Sequence, residues 1–137
     1  MTMGLSTKLN TTFEDAVERA TRALADQGFG VLTKIDVKST LKQKLDKDME
    51  DYLILGACNP TLAHKALEVD RQIGQLLPCN VVVRADPGSQ GGTVLVEAMD
   101  PQIMTKVADQ PALQPIADEA AAKLRAAIEA LGSDQGL

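Results

Sequence analysis

The side chains best suited to chemistry are gathered in one segment: Cys58, His64, Glu68 and Cys79, which include both cysteines and the single histidine of the chain. Cys58 stands just before Asn59-Pro60. An Asn-Pro pair is a helix-start signal, because Asn can accept a free amide of the first turn and Pro lacks the donor that would go unpaired there. The positive end of such a helix stabilises a thiolate, so Cys58 is the candidate nucleophile, with Asn59, Pro60, His64 and Cys79 completing a candidate ligand site.

His64 and Glu68 are four residues apart on the same predicted helix, a spacing that puts both on one face, where they could supply two metal ligands. No close Cys-Cys or Cys-His pair accompanies them, so the spacing matches no closed zinc motif; no metal is assigned and no cofactor is expected. Cys58 and Cys79 do not form a Cys-x-x-Cys pair. Small buried apolar side chains at strand ends are the favoured account of both cysteines, because unpaired Cys is among the most buried residue types.

The elements that must position these groups are those of a chain of 137 residues, the length of one ordinary domain. The reading is one domain over 1-137, with a core over about 4-132 and a fraying tail at 133-137. Hydrophobic residues make up 45%, yet Phe13, Phe29 and Tyr52 are the only aromatics, so the core must be aliphatic. Nineteen acidic against fourteen basic residues give a formal charge of −5. That balance removes the basic footprint of a nucleic-acid binder. No stretch approaches a membrane span or a signal peptide, which leads to the expectation of a soluble cytoplasmic protein with free thiols.

Alternation at Leu5, Thr7 and Leu9 predicts an edge strand over Gly4 to Leu9. Thr11 and Glu14 have capping-box spacing, and Phe13, Ala16, Val17, Ala20 and Leu24 then line one helix face up to a stop at Gly28. Val31, Thr33, Ile35 and Val37 alternate as a strand covered on one face, followed by a short helix capped by Ser39 or Thr40 and running through Leu45. The apolar run Tyr52 to Leu55 reads as a strand shielded on both faces or sitting at a subunit contact. After the Asn59-Pro60 start, Leu62, Ala66, Val69 and Ile73 mark a middle helix closed by Gly74 and Pro78. Val81 to Val83 opens a strand, and Asp86 to Gly92 reads as a hairpin loop into Thr93 to Met99. Asp100-Pro101 starts a short helix, and Ile116, Ala120, Leu124, Ile128 and Leu131 form the stripe of a long final one.

This order predicts an α+β fold: a mostly antiparallel sheet with two long helices packed on one face and a short middle helix. The motifs Gly28-Phe29-Gly30-Val31-Leu32, Ile35-Asp36-Val37, Thr40-Leu41-Lys42, Ile54 to Pro60 and Leu76 to Val81 resemble the uncharacterised domain-of-unknown-function family numbered 302, over roughly Phe13 to Leu131. The resemblance implies a fold similar to the TATA-box-binding-protein class, β-α-β4-α in outline, and homodimers. It supplies no reaction and implies no DNA binding, since one fold hosts many functions. The acidic run Asp48 to Asp51 departs from the basic and aromatic residues that relatives often carry before the following strand.

Two classes of function remain. One is a dimeric module that binds a small molecule or a partner segment near Cys58, Asn59 and Pro60; the other is a thiol- or metal-dependent enzyme or sensor built on Cys58 with His64 and Cys79. The incomplete catalytic parts list favours the binding module.

Overall fold

The computed structural model describes residues 4–88 and 92–133. Five strands form one antiparallel sheet: β1 (Gly4–Leu9), β2 (Gly30–Asp36), β3 (Tyr52–Cys58), β4 (Cys79–Ala85) and β5 (Val94–Met99), in the order β1-β5-β4-β3-β2. The helices are α1 (Phe13–Asp26), α2 (Val37–Leu45), α3 (Pro60–Val69), α4 (Ile103–Val107) and α5 (Gln114–Ser133). Short 3₁₀ turns at Arg71–Leu76 and Pro111–Leu113 complete the order.

Alternation along the strands decides the layers. Leu55, Ala57, Val81, Val83, Val94, Val96 and Ala98 point to one side of the sheet and are fully or almost fully buried there. Against them pack Ala16, Ala20 and Leu24 of α1 and Leu124, Ala127, Ile128 and Leu131 of α5, forming the aliphatic core that the composition demands. The two long helices thus share one face, as predicted. A smaller cluster of Ala66, Ile73, Met104 and Leu113 joins α3, its 3₁₀ extension and the chain entering α5.

Several boundaries differ from the pattern reading, each for a local reason. The cap of α1 is Thr12, whose side chain accepts from the Asp15 amide at 3.1 Å, while the Thr11 hydroxyl donates to the Asp15 carboxylate at 2.7 Å. The box is therefore shifted one residue from Thr11 and Glu14. Helix α2 is capped by Asp36, which accepts from the Ser39 amide at 2.9 Å, so it starts before Ser39 and Thr40. The middle helix is two pieces, because Asp70 leaves helical geometry and caps the 3₁₀ turn that carries Ile73 and Gly74. The hairpin between β4 and β5 is present, with the Asp86 amide donating to the Thr93 carbonyl at 3.0 Å; Ser89, Gln90 and Gly91 lie outside the described residues.

The largest correction concerns β2. Val31 pairs with Ala57 but Thr33 pairs with Gly56, so Leu32 is an extra residue in the ladder. A bulge of this kind reverses the side to which later residues point. Val31 shares the helix-covered side with Ala57, whereas Thr33 and Ile35 fall on the opposite side with Gly56 and Ile54. The strand is also almost uncovered: only Val31 is even half-buried, and Leu32 and Ile35 are 68% and 51% exposed.

Candidate functional site

The Cys58 segment is built by β3 running straight into α3. Asn59 accepts from the Leu62 amide at 3.2 Å, and Pro60 takes the first helical turn, as the sequence requires. The Asn59 amide group also donates to the Gln27 carbonyl at 3.5 Å, tying the start of α3 to the end of α1. Gly28, beside that contact, has φ +85°, and a Cβ there would stand 3.0 Å from Asn59 Nδ2. Asn59 is thus occupied as a clasp between two helix ends.

Cys58, Asn59 and Cys79 line a cavity whose walls are completed by Phe29, Leu62 and Ile116. Its volume is about 20 Å³, room for little more than one water. Both thiols are free, Cys58 half-buried and Cys79 buried. Burial, with a smaller contribution from neighbouring Cys58, pushes the Cys79 thiol up to about 11, so it stays protonated near neutral pH. Cys79 pairs in register with Ala57, one residue before Cys58, so the two thiols come to one cavity from the ends of neighbouring strands.

Pro60 and His64 do not line this cavity. His64 is 75% exposed on the outside of α3, with Nε2 3.5 Å from Glu68 Oε1, and Arg71 lies 3.6 Å from the same carboxylate oxygen. The i,i+4 face is thus present, with a cation on its other flank. Among the described residues, no group of three or more His, Cys, Asp or Glu side chains is placed to hold a metal ion.

The ligand-sized space lies on the other side of the sheet. A groove of about 570 Å³ runs over β4, β5 and β1, floored by Ser6, Asn80, Val82 and Glu97 and edged by Tyr52, Met99 and Ile103. Register sets a row across the strands here: Ile35 beside Ile54, Ile54 beside Val82, Val82 beside Glu97 and Glu97 beside Ser6. Arg84 donates to Glu97 twice, Nε to Oε1 at 2.6 Å and Nη2 to Oε2 at 3.2 Å. This bidentate bond is the main cause of a raised Arg84 pKa and pairs the two charges with each other.

Site reasoning from rare residues passes over this groove, because Asn80, Val82, Glu97 and Met99 are ordinary in kind and the single tyrosine, Tyr52, reads as the start of an apolar strand. A signal for it exists in the strand parity. In Cys79 to Ala85, the residues alternating with the buried Val81 and Val83 are Asn80, Val82 and Arg84, and in Val94 to Met99 a single carboxylate interrupts an otherwise apolar strand.

Fold and site together define a small α+β protein with a one-sided helical layer and an open, partly apolar sheet face. Comparison places it further: the family described as Domain of unknown function DUF302 matches residues 5–131, and the chain belongs to that family. It is similar to the crystal structure of an uncharacterized conserved DUF302 protein from Bacillus stearothermophilus, with 27% identity and a TM-score of 0.84, covering 94% of this chain and 98% of that one. No curated protein matches the chain. No helix among the described residues is long and apolar enough to cross a membrane.

Proposed function

We propose that this protein is a cytoplasmic, homodimeric binding module whose open sheet face receives an elongated, mainly apolar small molecule. The observation that carries this reading is the groove of about 570 Å³, within the size range of small-molecule sites, set beside a Cys58 cavity of about 20 Å³. Val82, Met99 and Ile103 offer apolar contact, while Tyr52 and Asn80 offer hydrogen bonds that would orient a polar end of the ligand. The charge of −5, and the engagement of the Arg84 cation by Glu97, both argue against a nucleic-acid ligand.

Catalysis by a thiol is the weaker reading. The cavity that Cys58 lines holds about 20 Å³, no room for a substrate, and its neighbour Cys79, pushed up to about 11, is a poor second thiol near neutral pH.

Native mass spectrometry of gently purified protein tests the binding reading. A retained small molecule should be lost on filling the groove with Ser6→Trp and kept in Cys58→Ser. Retention that survives Ser6→Trp but disappears in Cys58→Ser would sink the groove and restore the thiol segment.

A further inference from the structure

The cavity beside Cys58 is too small for a substrate, yet three sulfur-bearing side chains converge on it. Cys58 reaches it from the end of β3, Cys79 from the start of β4 and Met104 from α4. It lies on the seam between the two apolar clusters: Phe29, Ala57 and Cys79 belong to the main one, Ala66 and Met104 to the smaller. Cys79 and Met104 are buried, while Cys58 is half-buried and leaves a way in from solvent.

The lining decides what such a space suits. A buried water needs about two to four polar partners, and the polar lining group here is the Asn59 amide, already accepting from the Leu62 amide and donating to the Gln27 carbonyl. Hard cations seek oxygen, and zinc completes a tetrahedral set from thiolates, imidazoles and carboxylates. Among the described residues, no carboxylate or imidazole lines this cavity, and His64 stands outside it on the exposed side of α3. Thiolate and thioether donors without oxygen or nitrogen are the set that soft copper(I) prefers.

We infer that Cys58, Cys79 and Met104 form a site for one soft monovalent cation, copper(I), separate from the groove. The cavity of about 20 Å³ has room for one ion. The ion takes the place of the two thiol protons: two Cu–S bonds form, two S–H bonds are lost, both protons leave to solvent, and no oxidation state changes. The Met104 thioether adds a neutral third donor. The bound unit carries one negative charge, and Cys58, immediately before the Asn59 cap, sets the positive end of the 10-residue helix α3 beside it. Burial opposes a bare Cys79 thiolate, but a thiolate bound to a cation is not bare.

Anaerobic titration of the untagged full chain with copper(I), in competition with a chromophoric chelator, tests the site. One copper(I) per chain should bind with release of about two protons near neutral pH, and X-ray absorption should find only sulfur neighbours around the metal. Cys58→Ser and Cys79→Ala should each weaken binding at least about 100-fold, and Met104→Leu about 10-fold. Circular dichroism establishes that the variants are folded, and Met104→Leu, which conserves volume, serves if Cys79→Ala misfolds. His64→Ala should bind as the wild type does; a loss there would move the metal to the outer side of α3 and overturn the site. Nitrogen or oxygen neighbours, less than half an ion per chain, or a folded Cys79→Ala that binds as tightly as the wild type overturns it too, the last by reducing it to a half-exposed thiol.

Discussion

The two faces of the sheet draw on neighbouring residues of the same strands and reach opposite outcomes. Val81 and Val83 are wholly buried beneath α1 and α5, while Val82 between them is half-buried on a face with no helical layer. Residue type therefore says little about environment here; parity along the strand says nearly everything. A covered face stores stability, whereas an uncovered apolar face stores unused interaction energy.

Substitutions of different depth sharpen that contrast. Leu124→Ala, at a position with no exposure under the covered face, should lower unfolding free energy by about 3 kcal/mol in urea titration. A loss below about 1 kcal/mol would mean that the helical layer is not the main store of stability. Gly56→Ala tests the open face at a crowded point, since a Cβ there runs into the Thr33 hydroxyl and stands 3.0 Å from Pro78 Cγ. It should cost about 2 kcal/mol, read by the same titration.

The Cys79 thiol gives a pH test of the covered side. Its pKa lies near 9.0 when unfolded and about 11 when folded. The neutral form is favoured in the fold, so this contribution to stability is complete below about pH 9 and lost as pH rises through about 11. The loss is on the order of 3 kcal/mol. Wild-type stability should therefore fall more steeply over that window than that of Cys79→Ala. Parallel slopes would show that the thiol is not desolvated.

Asn59→Ala should cost about 1 kcal/mol by removing the α3 cap, and Asn59→Asp should recover part of it by keeping the acceptor while losing the donor to Gln27. Equal losses in both would assign the clasp, not the cap, the larger share.

Much of this architecture was legible in the residues because it depends on local signals. Asn59-Pro60, Gly28 and the stripe through Leu124 each act within a turn or two, and the structure places them as read. The caps of α1 and α2 were displaced because Thr11 and Thr12, like Asp36 and Ser39, are all competent acceptors; only the entry angle of the chain chooses between them. The bulge was invisible for a different reason. Alternation over Val31, Thr33 and Ile35 is unbroken in the sequence, and the extra residue is set by pairing with β3, a long-range fact. Rarity drew attention to Cys58 and Cys79, but rarity measures composition and not space, and the larger space was floored by common residues.

The bulge at Leu32 has one further consequence. A strand has two reading frames for its side chains, and a single unpaired residue switches from one to the other partway along the same strand. Upstream, the frame gives Val31 to the core; downstream, it gives Ile35 to the outer surface. Deleting Leu32 would leave a regular ladder with Thr33, Lys34 and Ile35 still opposite Gly56, Leu55 and Ile54, so the outer surface would keep Ile35. Pairing Leu32 into the ladder would instead turn Ile35 inward and bring Lys34 out, so the character of that surface is set by whether one residue is counted in the ladder or skipped.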